Sequence, residues 1–219
     1  MKMSVKRSKP VATALAVLRT NTKSTRMLLK EAIVVLAGTG MLALSARARI
    51  VTPFTPVPFT LQTAVLHYLL FTLGRRAWRS IVAYVLLGLA GLPVFAYGGG
   101  PAYVLSPTFG YLLGFVVGTA VAGKLAPRGA LSTRRGFIAG LVQLSFTYAL
   151  GSAWLAAWYA TAGRAGISQA LLLAIATGVA PFIAWDLVKM FAALALARIT
   201  VATIIRLSQP KSLKAVKPE

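Results

Sequence analysis

Long apolar stretches separated by short polar segments are the main pattern of this 219-residue chain. These stretches have no continuous polar face to present to water, which disfavours a soluble helical bundle. Several are nevertheless shorter than the roughly 20 residues of a typical spanning helix. The pattern predicts an all-α integral membrane protein with six transmembrane helices, at Glu31–Ala46, Thr60–Leu73, Trp78–Leu92, Phe109–Leu125, Gly136–Tyr159 and Pro181–Ala197.

A seventh apolar stretch, Ser168–Val179, precedes the last predicted span. Gly178 and Pro181 interrupt the helical pattern there, and proline is favoured in the first turn of a helix. We therefore expect an extra short helix at Ser168–Thr177, on the outer surface, and a sixth span that begins at Pro181.

Composition and charge set the predicted topology. The chain is 58% hydrophobic and 12% charged, whereas globular domains carry about 25% charged residues. Twenty of its 24 basic residues lie near the two ends or on alternate loops, and the positive-inside rule assigns those parts to the cytoplasm. This predicts a multi-pass protein of the cell (plasma) membrane with both termini cytoplasmic. Basic tails at residues 1–29 and 206–219 flank a six-helix domain at residues 30–205.

The net charge of +21 is explained by this topology, and we expect no nucleic-acid partner. In the N-terminal tail, Arg19, Lys23, Arg26 and Lys30 recur at helical spacing. One cationic face of that tail could lie on anionic membrane lipid. A disordered basic tail is the alternative.

Asp186 and Lys189 are the candidate ligand-binding pair. The chain has three acidic residues, and Asp186 is the one that lies inside a long apolar stretch. A carboxylate at membrane depth costs roughly 2.5–3.5 kcal/mol, so such a residue indicates a functional site. The i, i+3 spacing places both side chains on one helix face, in the first two turns of the sixth span. The alternative is an internal ion pair that merely orders this helix.

Two predicted outer loops lie near this pair. In the first, Pro53, Pro56 and Pro58 favour an extended path, which would form a stiff lid and place Gln62 at the start of the second span. In the second, Gly98 and Gly99 permit close backbone approach. The neighbouring aromatic residues Phe95, Tyr97 and Tyr103 suit a flat heterocycle. A rigid connector and a plain glycine turn are the respective alternatives.

Small residues at four-residue spacing predict close helix packing. A stripe of this kind follows the fourth span at Gly110, Gly114, Gly118 and Ala122. Shorter versions at Thr39/Ala43 and Gly136/Gly140 are candidates for docking a partner protein.

Four motifs occur in order between Ala32 and Ala197. They are TPFTPVPFTLQT at Thr52–Thr63, GLPVFA at Gly91–Ala96, PTFGYLLGF at Pro107–Phe115 and PFIAWDLVK at Pro181–Lys189. In these motifs the chain resembles the BioY family, the biotin-specific substrate-binding (S) components of energy-coupling-factor (ECF) transporters. The chain departs from the usual family pattern at Ser106 and Trp185.

The resemblance implies a six-helix protein that captures biotin and works with a transmembrane coupling protein and a pair of ATPases. It implies that Asp186 and Lys189 take part in biotin binding and that the loop with Phe95, Tyr97, Gly98 and Gly99 lines the pocket. Gln62 and Tyr111, which belong to two of the motifs, are further candidates. Thr39 and Ala43 are the nearest substitute for the docking motif of such components.

Catalysis and cofactors are not expected. His67 has no acid nearby in sequence, no metal-ligand set is evident, and no complete Gly-x-x-x-x-Gly-Lys-Ser/Thr phosphate-binding motif occurs. The chain is therefore predicted to be a transporter subunit and not an enzyme. A stand-alone proton-coupled carrier, an S component for another vitamin and a membrane enzyme are the alternatives.

Overall fold

The structure, a computed structural model, describes residues 9–126, 133–163 and 166–208, with side chains from residue 25 onward. The outer parts of both predicted basic tails, and the side chains of Arg19 and Lys23, lie outside the described residues. Within these described ranges, seven α-helices and a β-hairpin follow in chain order. They are α1 (Lys9–Arg47), β1 (Arg49–Thr52), β2 (Thr55–Thr60), α2 (Gln62–Leu73), α3 (Ala77–Leu89), α4 (Phe109–Ala122), α5 (Thr133–Thr161), α6 (Ile167–Gly178) and α7 (Ile183–Ser208).

In the part of the chain that the structure describes, three helical segments are long and apolar enough to cross a membrane: Thr25–Arg47, Thr133–Thr161 and Ile183–Ser208. Helices α2, α3 and α4 have 12, 13 and 14 residues. At 1.5 Å per residue they are about 18–21 Å long, shorter than the roughly 30 Å hydrocarbon core. The count of six full spans and the side on which the termini lie therefore remain predictions. The predicted boundary between residues 29 and 30 falls inside α1, which begins at Lys9.

The predicted break before the last span is confirmed. Helix α6 ends at Gly178 and α7 begins at Ile183, two residues after Pro181. This break places Asp186 in the first turn of α7 and Lys189 in its second turn.

The proline-rich segment forms an antiparallel hairpin, so the prediction of a purely α-helical fold was incomplete. Arg49 pairs with Thr60 and Ile50 with Phe59. Two of the three prolines lie in β2. Proline has no N–H donor, and it is tolerated there because the outer edge of the hairpin makes no further ladder hydrogen bonds. The Thr55 hydroxyl donates a 2.7 Å hydrogen bond to the carbonyl of Thr177 in α6. The hairpin is thus extended, as expected, but it is anchored at its tip.

The glycine stripe of α4 packs against α5. A side chain at Gly114 would lie 2.6 Å from Thr147 Cα, and one at Gly118 would lie 2.8 Å from the Gln143 carbonyl oxygen. The predicted close helix approach is therefore confirmed. Large apolar side chains such as Leu36 and Leu44 are 62% and 75% exposed, which fits a surface in contact with lipid.

The small residues considered for partner docking are used inside the isolated chain. Thr39 is buried and its hydroxyl donates a 3.0 Å hydrogen bond to the carbonyl of Ser80 in α3. Ala43 is partly buried against the same core. Gly136 and Gly140 pack on Leu194 and Met190 of α7. Docking through Thr39 would require α3 to move, and that role stays a prediction.

Candidate substrate-binding site

A cavity lies between the hairpin and the first turns of α2 and α7. Its walls come from β2, α2, the segment before α4, α4, α5, the end of α6, the turn that follows it, and α7. The lining residues are Val57, Pro58, Thr60, Gln62, Thr63, Ala96, Tyr103, Thr108, Tyr111, Leu112, Phe115, Thr147, Tyr148, Gly178, Phe182, Asp186 and Lys189. The centre of a water-sized sphere can reach about 60 Å³ of it, which is room for several water molecules.

The Asp186 carboxylate is the polar centre of this cavity. It is 3% exposed. The Thr63 hydroxyl donates a 2.7 Å hydrogen bond to its Oδ1 atom, and the Tyr148 hydroxyl donates one of 2.7 Å to Oδ2. The Lys189 ammonium lies 3.0 Å from Oδ1. A carboxylate has about four acceptor positions, so one remains for a ligand.

Lys189 holds the hairpin and the carboxylate together. Its ammonium donates a 2.8 Å hydrogen bond to the carbonyl of Thr60, at the end of β2. It also donates to Asp186 Oδ1 at 3.0 Å and to the Thr63 hydroxyl at 3.4 Å. The long contact to Thr63 is the weakest of the three, so a bound acceptor can replace it at least cost.

Gln62 and Tyr111 line the same cavity and are held by their own partners. The Gln62 side-chain amide donates a 2.9 Å hydrogen bond to the Tyr84 hydroxyl, which donates to the carbonyl of Val94. The Tyr111 hydroxyl donates a 2.9 Å hydrogen bond to the carbonyl of Gly178. Both side chains are therefore preorganised in the cavity wall.

The glycine-rich loop lies behind the wall. Phe95 is buried, with its ring 4.4 Å from that of Tyr103 and 5.3 Å from that of Tyr84. Backbone hydrogen bonds between Phe95 and Gly98 close a tight turn. The φ angle of Gly98 is +116°, a backbone conformation that favours glycine. Within the described residues, Phe95, Tyr97, Gly98 and Gly99 do not line the cavity.

These four residues are used in other contacts. Gly99 packs against the backbone of Leu92, and Tyr97 is 43% exposed with the Arg49 guanidinium 5.2 Å from its ring. The loop contacts the cavity through Ala96 and Tyr103 instead. Burial raises the pKa of Tyr103 above its ordinary value, and its hydroxyl is hydrogen-bonded to that of Thr108 at 3.0 Å. A direct role of the four residues in binding remains a prediction.

Sequence reasoning did not single out Thr63, Tyr148 and Phe182. Thr63 belongs to the first quoted motif, and Tyr148 interrupts a long apolar stretch with a hydroxyl. Both signals were weak because threonine and tyrosine are tolerated in many helices. Phe182 stacks on Phe59 of β2 at 4.3 Å and so closes the cavity beside the hairpin.

Two other candidate chemistries find no support in the geometry. His67 is fully buried, with Nδ1 2.7 Å from the carbonyl of Thr63 and Nε2 3.4 Å from that of Gly140. Gly118, Gly123 and Lys124 have the spacing of a phosphate-binding loop, but Leu125 follows where that motif requires Ser or Thr. Gly118 also lies inside α4, packed against α5, so no loop is available there.

The BioY family profile matches residues 16–206. The chain belongs to the BioY family. A probable biotin transporter BioY of Lysinibacillus sphaericus is 42% identical over 105 residues, which cover 47% of this chain and 54% of that protein. The biotin transporter BioY of Thermotoga maritima is 38% identical over 143 residues, 64% of this chain and 79% of that protein.

A solved structure supports the fold independently. The S-component for biotin from an ECF-type ABC transporter superposes with a TM-score of 0.62, over 88% of this chain and 97% of that chain. The two sequences are 21% identical, so this likeness shows the fold. Together, the family match and the fold confirm the resemblance that the four motifs indicated.

Proposed function

We propose that this chain binds biotin in the cavity beside Asp186 and acts as the substrate-binding component of an ECF-type transporter. The observation that carries the proposal is a buried carboxylate paired with an ammonium, both facing one cavity in a membrane protein of the BioY family. An intramembrane ion pair that serves packing alone would not need to line a cavity.

The chemistry of biotin suits this site. Its ureido ring has two N–H donors and a carbonyl acceptor, its thiophane ring is apolar, and its valerate ends in a carboxylate. The free acceptor position on Asp186 can receive a ureido N–H, and the Lys189 ammonium can donate to the ureido oxygen or to the valerate. Tyr111, Leu112, Phe115 and Phe182 supply apolar and aromatic surface for the ring system.

Two orientations satisfy this chemistry, and analogues distinguish them. If Lys189 binds the valerate, biotin methyl ester should bind more weakly than biotin. The Lys189→Ala variant should then show little difference in affinity between biotin and its methyl ester. If the ureido group faces the pair, 2-iminobiotin loses affinity instead, because its imine replaces the ureido carbonyl. Each analogue thus reports on one end of the ligand.

The proposal includes partners and topology. In the proposed assembly, a transmembrane coupling protein and two ATPases supply the energy, and this chain spans the plasma membrane six times with both termini cytoplasmic. The positive-inside distribution of Lys and Arg supports the orientation. The fold likeness to an ECF S-component supports the architecture.

Isothermal titration of the purified full chain with biotin tests the function. Saturable binding with one site per chain is expected, together with much weaker binding of riboflavin and thiamine. Tighter binding of either of those vitamins than of biotin would assign the chain to another substrate. The proposal would be overturned if biotin produced no saturable binding heat with protein whose circular dichroism spectrum shows folded helices.

A further inference from the structure

A second groove lies at the opposite end of α2 from the cavity. It is formed where the middle of α1 passes the end of α2 and the turn that leads to α3. Its lining residues are Met27, Lys30, Glu31, Val34, Thr72, Leu73 and Arg76. The centre of a water-sized sphere can reach about 290 Å³ there. The groove is therefore roomier than the cavity beside Asp186.

The polar edge of this groove is strongly cationic. Glu31 forms ion pairs with both Arg76 and Arg79, the second at 2.8 Å. One carboxylate thus faces two guanidinium groups, that of Arg76 in the groove lining and that of Arg79 just outside it. Lys30 also lines the groove, so these three basic residues and an ionised Glu31 together carry a formal charge of about +2. The arginine side chains remain 49% and 48% exposed. Each guanidinium has five N–H donors, which leaves several for an external anion.

Apart from Thr72, the rest of the groove is apolar. Val34 of α1 and Leu73 of α2 form its wall, and Met27 extends that wall toward the start of α1. Val34 and Met27 are 40% and 69% exposed. A small inorganic anion would contact the cationic edge alone and leave this wall uncovered.

We propose that the groove binds an anionic phospholipid. The phosphate lies against Arg76, Arg79 and Lys30, and an acyl chain lies along Val34 and Leu73. Basic pockets between helices are the kind of site that selects anionic headgroups. Arginine is suited to phosphate because its planar fork donates two parallel hydrogen bonds. A bound lipid of this kind links α1 to α2 and α3, independently of biotin.

Native mass spectrometry of the full chain in a non-ionic detergent tests this proposal. The protein is titrated with phosphatidylglycerol, with phosphatidylcholine of the same acyl chains, and with inorganic phosphate. The first bound phosphatidylglycerol is expected to bind at least tenfold more tightly than phosphatidylcholine. Inorganic phosphate at the same concentration should not displace it.

Variants locate the site. Lys30→Gln removes one charge and leaves both ion pairs of Glu31 in place, so the fold is retained. It should weaken the first phosphatidylglycerol about fivefold, and the double variant Lys30→Gln/Arg76→Gln should weaken it further. Arg206→Gln is the matched control, because it removes a basic residue of α7 that does not line the groove, and it should have no effect.

Three results would overturn the proposal. Equal affinity for the two lipids would show that the groove does not select charge. Unchanged affinity in Lys30→Gln and in the double variant would place the lipid elsewhere. Displacement by inorganic phosphate at the same concentration would make this a small-anion site and not a lipid site.

Discussion

The hydroxyl of Tyr148 donates a 2.7 Å hydrogen bond to Oδ2 of Asp186, which joins the middle of α5 to the first turn of α7. Thr63 of α2 donates to the other carboxylate oxygen at the same distance. One buried carboxylate therefore connects three helices around the cavity. Because a buried carboxylate is costly unless it is paired and hydrogen-bonded, each of these donors contributes to holding the Asp186 side chain in place.

Removing either member of the ion pair should weaken biotin binding. Asp186→Asn deletes the charge that pairs with Lys189, and Lys189→Ala deletes the ammonium that also holds Thr60. Charge-assisted hydrogen bonds support a loss of at least tenfold in affinity, or about 1.4 kcal/mol. Titration calorimetry measures the change. Wild-type affinity in both folded variants would mean that the pair only orders α7.

Removing the Tyr148 hydroxyl should have a smaller effect in the same direction. Tyr148→Phe keeps the ring that lines the cavity and deletes one donor to Asp186. A loss of about three- to tenfold in biotin affinity is expected, which is the size of one hydrogen bond. Tyr68→Phe is the matched control, because the Tyr68 hydroxyl contacts Thr200 on α7 and does not line the cavity. Equal losses in both variants would contradict a positioning role for Tyr148.

The Asp186–Lys189 pair could be predicted from sequence because its two members lie on one helix, three residues apart. Thr63 and Tyr148 could not, because their contacts with Asp186 are separated by 123 and 38 residues. The i, i+3 rule concerns one helix, whereas the packing of α2 and α5 against α7 decides which hydroxyls reach the carboxylate.

Phe95 and Thr39 show the limits of composition and spacing. Glycines beside aromatics predicted a ligand-contacting loop, but the loop uses Phe95 and Gly98 for its own turn. Small residues predicted close approach at Thr39, which occurs, but the neighbour is Ser80 of the same chain. A small-residue pattern indicates that a helix face packs closely against a neighbour. It does not show whether that neighbour belongs to the same chain or to a partner protein.

The hairpin should act as a lid over the cavity. Val57, Pro58 and Thr60 of β2 line it, so a ligand in the cavity would contact the hairpin directly. Saturating biotin should therefore slow amide hydrogen exchange across Thr52–Phe59, as measured by mass spectrometry. Identical exchange with and without ligand would make the hairpin a simple connector.

A matched pair of threonines tests how the lid is anchored. Thr55→Val removes the hydrogen bond to Thr177 of α6 and the one that the Thr55 hydroxyl accepts from the Val57 N–H. It should speed exchange in the hairpin about five- to hundredfold, as expected for two lost hydrogen bonds. In the same hairpin, the Thr52 hydroxyl has no hydrogen-bond partner among the described residues. Thr52→Val should therefore leave exchange unchanged.

Gly151 should be intolerant of a side chain. A methyl group there would overlap the ring of Tyr111, which lines the cavity and hydrogen-bonds to Gly178. Gly151→Ala should lower the free energy of unfolding by about 1–3 kcal/mol, the usual cost of overpacking. Thermal unfolding in detergent measures this. Gly40→Ala is the control, because nothing lies within 4 Å of the added atom; an equal loss there would contradict the explanation.

The last prediction is that this chain captures biotin but does not accumulate it alone. The partial phosphate-loop spacing at Gly118–Lys124 lies in and just after a packed helix, so it does not form a nucleotide site, and we expect partner ATPases to supply the energy. Proteoliposomes that contain only this chain should bind biotin at their surface without concentrating it, with or without a proton gradient. Radiolabelled biotin inside the vesicles is the measurement.

Asp186→Asn proteoliposomes are the control for this assay, because they should lose the surface-bound fraction and leave the internal fraction unchanged. ATP-dependent accumulation should appear only after a coupling protein and ATPases of an ECF transporter are added to the same vesicles. Accumulation above the external concentration under a proton gradient alone would show a secondary carrier. In that case the buried Asp186–Lys189 pair would be the first place to look for the proton-coupling step.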